Sequence, residues 1–326
     1  MADFSVRVSN VTKQYGDFVA VGDLSFDVPT GSIYGILGPN GAGKTTTLRM
    51  LNDILKPDTG KIELLDGLAP GSEAAKRIGY LPEERGLYPK MKVAEVLRFL
   101  GELRGLGRKQ AAKQASSWLE RLKISDWRDN KVQDLSKGMQ QKVQFAAALI
   151  HDPEVLILDE PWSGLDPINA SVLKETVLAQ KEAGRTILFS THLMEQAEQI
   201  CDYVCIIAQG RKAVEGKLAD LKQEASMDDA IKLRFTEAKD EERIQSGSLA
   251  DEYFSSAEAT SEGLVLKLKS GKSSPELLSA LIEGEYGISS FERMEPTLHQ
   301  IFVDRVGAQA DNLVAPRSGR REGGDA

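Results

Sequence analysis

Apolar and polar positions alternate along the first 37 residues. They predict short strands at Phe4–Val8, Phe18–Val21, Leu24–Val28 and Ser32–Leu37, with turns at Tyr15-Gly16-Asp17 and Pro29-Thr30-Gly31. Leu55 to Gly71 reads as a hairpin region, and Ile78–Glu83 as a short strand running into a loop. From about Pro89 to Ile150 the spacing changes to three and four. It predicts helices over Val93–Leu100 and Ala115–Leu122, and a third opening at Ser136 as N-cap. Met139, Val143, Ala146, Ala147 and Ile150 share one face of that third helix. Glu154–Glu160 reads as a continuous apolar strand ending in two carboxylates, the mark of a strand buried on both faces of a parallel sheet. A helix at Ala170–Ala183, a strand at Thr186–Ser190, a helix at Met194–Ile200 and a strand at Tyr203–Ala208 continue the α/β alternation, with a turn at Gly210-Arg211-Lys212.

The alternation stops near Glu215. Residues 221–306 read as a small α+β unit, with strands at Ala230–Phe235 and Gly263–Leu268 and helices at Pro275–Glu283 and Pro296–Val306. No catalytic constellation is visible there. Residues 307–326 are rich in Gly, Arg and Asp and are expected to be disordered. The expected organisation is thus a main domain at 1–220 with a helical subdomain at about 84–150, an accessory domain at 221–306, and a tail. No internal repeat is visible.

Composition narrows the class. The chain has 326 residues and a formal net charge of −8, so its overall balance does not recruit nucleic acid. Cys201 and Cys205 could form a redox or metal pair. No second pair or nearby histidine supports that, and buried reduced thiols in a cytosolic protein are expected instead. The first residues carry neither a basic nor an apolar leader segment, and no apolar run approaches the ~18 residues of a membrane span. A soluble chain is expected.

The chemistry centres on Gly38-Pro39-Asn40-Gly41-Ala42-Gly43-Lys44-Thr45-Thr46, a G-x-x-x-x-G-K-T phosphate loop between a predicted strand and a predicted helix. Glycines let backbone N–H groups turn inward around phosphate oxygens, and the following helix points its positive end at the anion. Lys44 supplies a point charge to the β- and γ-phosphates, and Thr45 a hydroxyl ligand for Mg²⁺. The strand ending in Asp159-Glu160 places two carboxylates where open α/β sheets keep their chemistry, as partners for the metal and for water. His192 ends its strand in the same way. Tyr15 is readable either as a partly buried strand residue or as a face for stacking adenine.

Taken in order, Tyr15, GPNGAGKTT (38–46), GYLPE (79–83), LSKGMQQK (135–142), VLILDEP (155–161), SGLD (163–166) and His192 resemble the ATP-binding subunit of ABC transporters over about residues 1–220. The accessory domain is similar to the extension of bacterial sodium-export (NatA-type) and multidrug-export ATPases. The resemblance implies a P-loop NTPase core with an antiparallel β subdomain and a helical subdomain, and a dimer that sandwiches ATP and Mg²⁺. It implies that Asp159 anchors the metal, Glu160 polarises water and His192 touches the γ-phosphate. Ser136, Lys137 and Gly138 meet the opposite protomer's nucleotide, and Asp166 crosses the interface. It also implies a separate integral-membrane permease as partner on the cytoplasmic face of the membrane, a homodimer or heterodimer of ATPase subunits, and export as the direction. The family signature is usually L-S-G-G-Q; here Lys137 and Met139 replace two of its residues. Glu83 occupies the position of the Q-loop glutamine, where a carboxylate can still ligate Mg²⁺. It adds a negative charge beside the triphosphate and predicts slower or more Mg²⁺-dependent turnover. A soluble ABC ATPase acting on ribosomes or DNA is the alternative. It is disfavoured by the single phosphate loop, the lack of sustained heptads and the acidic balance. A small-molecule kinase leaves LSKGM and SGLD unexplained.

Overall fold

Three sheets organise the described residues, and each follows from the side-chain pattern of its strands. The computed structural model describes residues 4–84, 86–225, 230–260, 263–269, 271–294, 296–303 and 305. It divides into one unit running to Leu218 and a second over Ala219–Val303.

The first unit opens with β1 (Phe4–Tyr15) and β2 (Phe18–Pro29), two 12-residue strands where the pattern predicts three shorter ones. The polar stretches that read as breaks are bulges. Asn10 and Asp23 take φ of 50° and 52°, the register shifts between Val8 and Val11, and the Asn10 amide donates to Asp23 across the strands at 2.9 Å. Then come β3 (Ile33–Leu37), α1 (Lys44–Leu51) and β4 (Thr59–Leu64). The end of β4 pairs locally across the expected Asp66-Gly67 turn, where Leu64 and Leu68 exchange backbone hydrogen bonds at 2.7 and 2.8 Å. β4 also joins the far edge of β1, giving the antiparallel order β2-β1-β4.

Next are α2 (Ser72–Ala75), β5 (Ile78–Leu81), α3 (Val93–Leu103), α4 (Arg108–Arg121), α5 (Lys137–Leu149), β6 (Val155–Asp159), α6 (Pro167–Glu182), β7 (Thr186–Thr191), α7 (Met194–Glu198), β8 (Tyr203–Ala208) and β9 (Arg211–Lys217). The strands form a second sheet of order β5-β6-β7-β3-β8-β9, parallel except for β9, which runs antiparallel at the edge after the expected turn. All five residues of β3 and β6, and all six of β7, are buried, as strands covered on both faces must be. One apolar core joins Val6, Leu24 and Phe26 of the antiparallel sheet to Leu48 and Met50 of α1 and to Ile36, Ile157 and Leu188 of the parallel sheet.

α5 departs from the amphipathic expectation. Gln141, Lys142 and Gln144 are buried along with Val143, Phe145 and Ala146, while Met139 and Ala147 are only half-buried. The helix is enclosed nearly all round, and the buried Gln141 and Gln144 amides donate to the carbonyls of Pro161, Pro82 and Glu84. Cys205 lies in the core on β8, Cys201 is half-buried, and both are free thiols; burial pushes both thiols up, Cys205 to about 12. No helix among the described residues is long and apolar enough to cross a membrane.

After α8 (Leu218–Ala225), the second unit runs β10 (Ala230–Phe235), α9 (Ala238–Ser246), α10 (Ser248–Tyr253), β11 (Phe254–Thr260), β12 (Gly263–Leu268), α11 (Ser274–Glu283) and β13 (Ile288–Met294). Its fully antiparallel sheet has the order β11-β12-β10-β13. That is a βαββαβ plait of ferredoxin-like topology. Its core is Ile231, Leu233, Leu264 and Leu266 from the two central strands, under Ile244, Leu277 and Leu281 from the helices. The pattern shows only the central strands, because β11 and β13 are edges carrying mostly polar, solvent-facing residues. Residues 298–303 are helical within the predicted final helix and bury Leu298 and Ile301. The predicted disorder of 307–326 concerns positions outside the described residues.

Candidate active site

The carboxyl ends of the parallel strands bring the chemistry together. Leu37 pairs with Thr191, and Asp159 with Ser190, so the phosphate loop, the two acids and His192 leave adjacent strands at one end of the sheet. In the loop, Gly38 has φ of 151° and a Cβ there would stand 2.1 Å from the Ile207 carbonyl oxygen. At Gly43, with φ of 102°, it would stand 2.5 Å from that of Ala20. Only glycine allows both approaches. α1 therefore starts at Lys44, with the loop amides curled before its N-terminus.

Lys44 is 6 % exposed. Its ammonium donates to the carbonyls of Gly38 at 2.8 Å and Pro39 at 3.3 Å, and lies 3.5 Å from Glu160 Oε1. The same Oε1 accepts from His192 Nδ1–H at 2.9 Å. Glu160 sits at φ of 46°, a left-handed conformation for a non-glycine residue. Its backbone N–H is held there by the Ser190 hydroxyl at 3.1 Å and carbonyl at 3.2 Å. The Ser190 hydroxyl in turn donates to Asp159 Oδ1 at 2.5 Å, and Thr45 Oγ1 donates to the same oxygen at 3.3 Å.

Asp159 is fully buried, and its second oxygen, Oδ2, makes no hydrogen bond. Desolvation pushes its carboxyl above the usual carboxylate range, against the opposing pull of the Ser190 and Thr45 hydroxyls. A hydroxyl beside a carboxylate with an unsatisfied oxygen is the hard donor set that Mg²⁺ takes together with phosphate oxygens and water. The residues fit that ion. A metal cage of three or more His, Cys, Asp or Glu is absent among the described residues, and a metal shared with phosphates needs none.

A cleft of about 340 Å³ is lined by Tyr15, Phe18, Ala20, Asn40 to Thr46, Glu83 and Glu160. Of the residues singled out in the sequence, this cleft gathers the phosphate loop, Tyr15, Glu83 and Glu160, with Asp159 and His192 joined through hydrogen bonds. Ser136, Lys137, Gly138 and Asp166 do not line it. They lie at two helix starts instead: Ser136 caps α5 by accepting from the Met139 N–H at 3.3 Å, and Asp166 caps α6 by accepting from the Asn169 N–H at 3.0 Å. A Cβ on Gly138 would lie 2.9 Å from Asn169 Nδ2, so the two helix starts are packed together. The Asn169 bonds hold the Asp166 carboxyl below the usual range.

Three contributors escape a reading of the motifs. Ser190 positions both acids. Gln144, buried on α5, donates to the Pro82 and Glu84 carbonyls at 3.1 and 3.0 Å and so fixes the backbone around Glu83. Phe18, 62 % exposed, pairs with Tyr15 across the Gly16-Asp17 turn and lines the cleft beside it. Two aromatics on one hairpin at the mouth of a phosphate loop are the available signal. Removing the stacking ring is expected to weaken ATP binding by roughly 3- to 10-fold, the equivalent of ~0.5–1.5 kcal/mol. Titrating ATP into Tyr15→Ala and Phe18→Ala will show which ring carries the base.

This is the site of a P-loop nucleotide hydrolase of cassette type, and the serine-capped start of α5 does not line its nucleotide cleft. The family model "ABC transporter" matches residues 21–163, and "ATP-binding protein DrrA1-3-like, C-terminal domain" matches residues 216–306. An uncharacterised ABC transporter ATP-binding protein of Bacillus subtilis is 43 % identical over 93 % of this chain and 99 % of its own. The Nod factor export ATP-binding protein I of Bradyrhizobium diazoefficiens is 34 % identical over 95 % and 99 %. Among solved structures, cbiO1 of Clostridium perfringens, described as part of an ABC transporter complex, superposes with a TM-score of 0.60 at 28 % identity, covering 68 % of this chain and 92 % of that one. The chain belongs to the ABC transporter ATP-binding protein family. It is an ATP-binding, ATP-hydrolysing subunit with the α/β cassette fold, as its motifs imply.

Proposed function

We propose that this ATPase drives export through a separate membrane-spanning permease, and that two cassettes close on ATP and open on hydrolysis. The observation that supports the dimeric part is that the serine-capped start of α5, with the signature residues Ser136, Lys137 and Gly138, does not line the nucleotide cleft of its own chain. Export is supported by full-length similarity to a protein named for Nod factor export.

In this reading Lys44 and the loop amides hold the triphosphate, and a Tyr15 or Phe18 ring holds the base. Thr45 and Asp159 would hold Mg²⁺, and Glu83, which lines the same cleft, would add a further carboxylate. When bound, the ion neutralises charge on the β- and γ-phosphate oxygens. Glu160 accepts a hydrogen bond from the attacking water and orients it in line with the γ-phosphate. His192, fixed by donating from Nδ1 to Glu160, presents its other nitrogen toward the phosphate. Most of the rate enhancement in such a site is positioning and electrostatics. Ser136, Lys137 and Gly138 of the opposing cassette close over the γ-phosphate, so that a hydroxyl, a helix N-terminus and an added ammonium face the developing charge. Asp166, packed beside that helix start through Asn169, relays the closure to the opposing site.

Affinity capture of the tagged chain from detergent-solubilised membranes tests the assignment. Recovery of a multi-span membrane protein that stimulates the ATPase rate supports it. Recovery of ribosomes or DNA instead overturns it.

A further inference from the structure

Charge is distributed unevenly in this acidic protein. Residues 84–150 carry 14 Lys and Arg against 7 Asp and Glu, a net +7, although the whole chain is −8. Within that basic region the backbone juxtaposes cations. The Val132 N–H donates to the Met91 carbonyl, and the Val93 N–H to that of Asn130, both at 3.0 Å; between them Lys92 and Lys131 face each other in an antiparallel bridge. Directly opposed like charges destabilise such a pair. Lys90 lies two residues away, in the turn closed by the Met91 N–H to the Tyr88 carbonyl. Arg128 adjoins through its carbonyl, which accepts from Ala94.

Lys90, Lys92 and Lys131 are exposed, and among the described residues none makes an ion pair. The nearby acids are otherwise engaged. Glu95 accepts from the Lys92 backbone N–H at 3.3 Å, and Asp129 lies 3.7 Å from Arg128. Tyr88, 48 % exposed, stands at the edge of the cluster with its ring against Phe99. The backbone therefore brings three exposed lysines into one stretch of surface, and among the described residues none of their ammonium groups is ion-paired.

We propose that the Lys90–Lys92–Lys131 cluster docks this subunit on an anionic phospholipid surface through the headgroup phosphates. Lysines, with a compact charge on a flexible stem, suit a diffuse anionic surface. Protein interfaces favour Arg and aromatic anchors and are depleted in Lys. A flanking tyrosine with one polar end suits the same boundary. The docking is independent of which permease the ATPase serves. It orients an otherwise acidic subunit with its basic helical region toward the bilayer.

Co-sedimentation of the full chain with phosphatidylcholine vesicles, and with mixed phosphatidylcholine–phosphatidylglycerol vesicles, tests this. Binding to the mixed vesicles alone, falling as salt is raised, is expected. The triple variant Lys90→Gln, Lys92→Gln, Lys131→Gln is expected to lose on the order of a hundredfold in partition coefficient. Its basal ATPase rate will stay unchanged, which shows that it folds. A second triple variant, Lys56→Gln, Lys61→Gln, Lys76→Gln, changes net charge equally at ion-paired lysines elsewhere and is expected to bind like the parent. Four outcomes overturn the proposal: no binding, equal binding to both vesicles, equal loss in the two variants, or displacement by inorganic phosphate at constant ionic strength.

Discussion

Substituting Glu160 by glutamine is expected to lower ATP hydrolysis by about 10²- to 10⁴-fold, the usual worth of a positioned general base, while ATP binding is retained or strengthened. Glutamine keeps the shape of the side chain, and the left-handed backbone that aims it is set by Ser190, which is untouched. The amide can still accept from His192, but it carries no charge and cannot draw a proton from water. Removing a negative charge next to Lys44 also removes repulsion toward the triphosphate, so affinity does not fall. With hydrolysis blocked, ATP–Mg²⁺ is expected to shift the variant to a dimer on size-exclusion chromatography. A rate within tenfold of the parent would remove Glu160 from the role of base. A blocked rate without dimerisation would mean that a different ATPase subunit supplies the opposing Ser136 element.

The parts of this site that lie within a contiguous stretch are legible in the sequence, and the parts assembled across strands are not. The phosphate loop announces itself because glycine spacing, Lys44 and Thr45 are all local requirements. Asp159 and Glu160 are legible because packing alone never requires a wholly apolar strand to end in two acids. Ser190 sits inside an apolar strand, and nothing nearby marks it. Its importance comes from register, which places it opposite Asp159. Gln144 is hidden in the same way, as a polar residue on a helix that reads as amphipathic and is enclosed. The bulged strands β1 and β2 break into pieces when read by alternation, because one inserted residue flips the phase of every following side chain. The accessory unit yields its two central strands and hides its edges, since an edge strand is held by one ladder of backbone bonds and needs few apolar residues. The capping of α5 by Ser136 is visible locally; its packing against the start of α6 through Gly138 and Asn169 depends on the tertiary fold.

Asp159→Asn is expected to separate catalysis from stability in opposite directions. In the folded chain the Asp159 carboxyl is raised above its ordinary value, because burial penalises the charged form more than the Ser190 and Thr45 hydroxyls favour it. The sign follows from linkage. A carboxyl with a raised folded pKa binds its proton more tightly when folded, so stability falls as pH rises through the unfolded and then the folded value. At neutral pH the ionised group is a net cost to the metal-free protein. An uncharged amide removes that penalty and still accepts from Ser190 and Thr45. The metal-free variant is therefore expected to be as stable as the parent or more stable, by on the order of 1 kcal/mol, which corresponds to roughly 2–4 °C in melting temperature for a domain of this size. Adding ATP–Mg²⁺ reverses the order. The parent gains stability from metal-linked binding, and the variant, without the carboxylate to hold the ion, gains less and hydrolyses ATP at least about 100-fold more slowly. Thermal unfolding at neutral pH, with and without ATP–Mg²⁺, measures both effects. A variant that melts well below the parent without nucleotide would show that the buried carboxylate stabilises the fold, and the unsatisfied Oδ2 would then not be a place kept for the metal. A variant that melts higher, yet responds to ATP–Mg²⁺ like the parent, would shift the metal-holding role to Thr45 and Glu83.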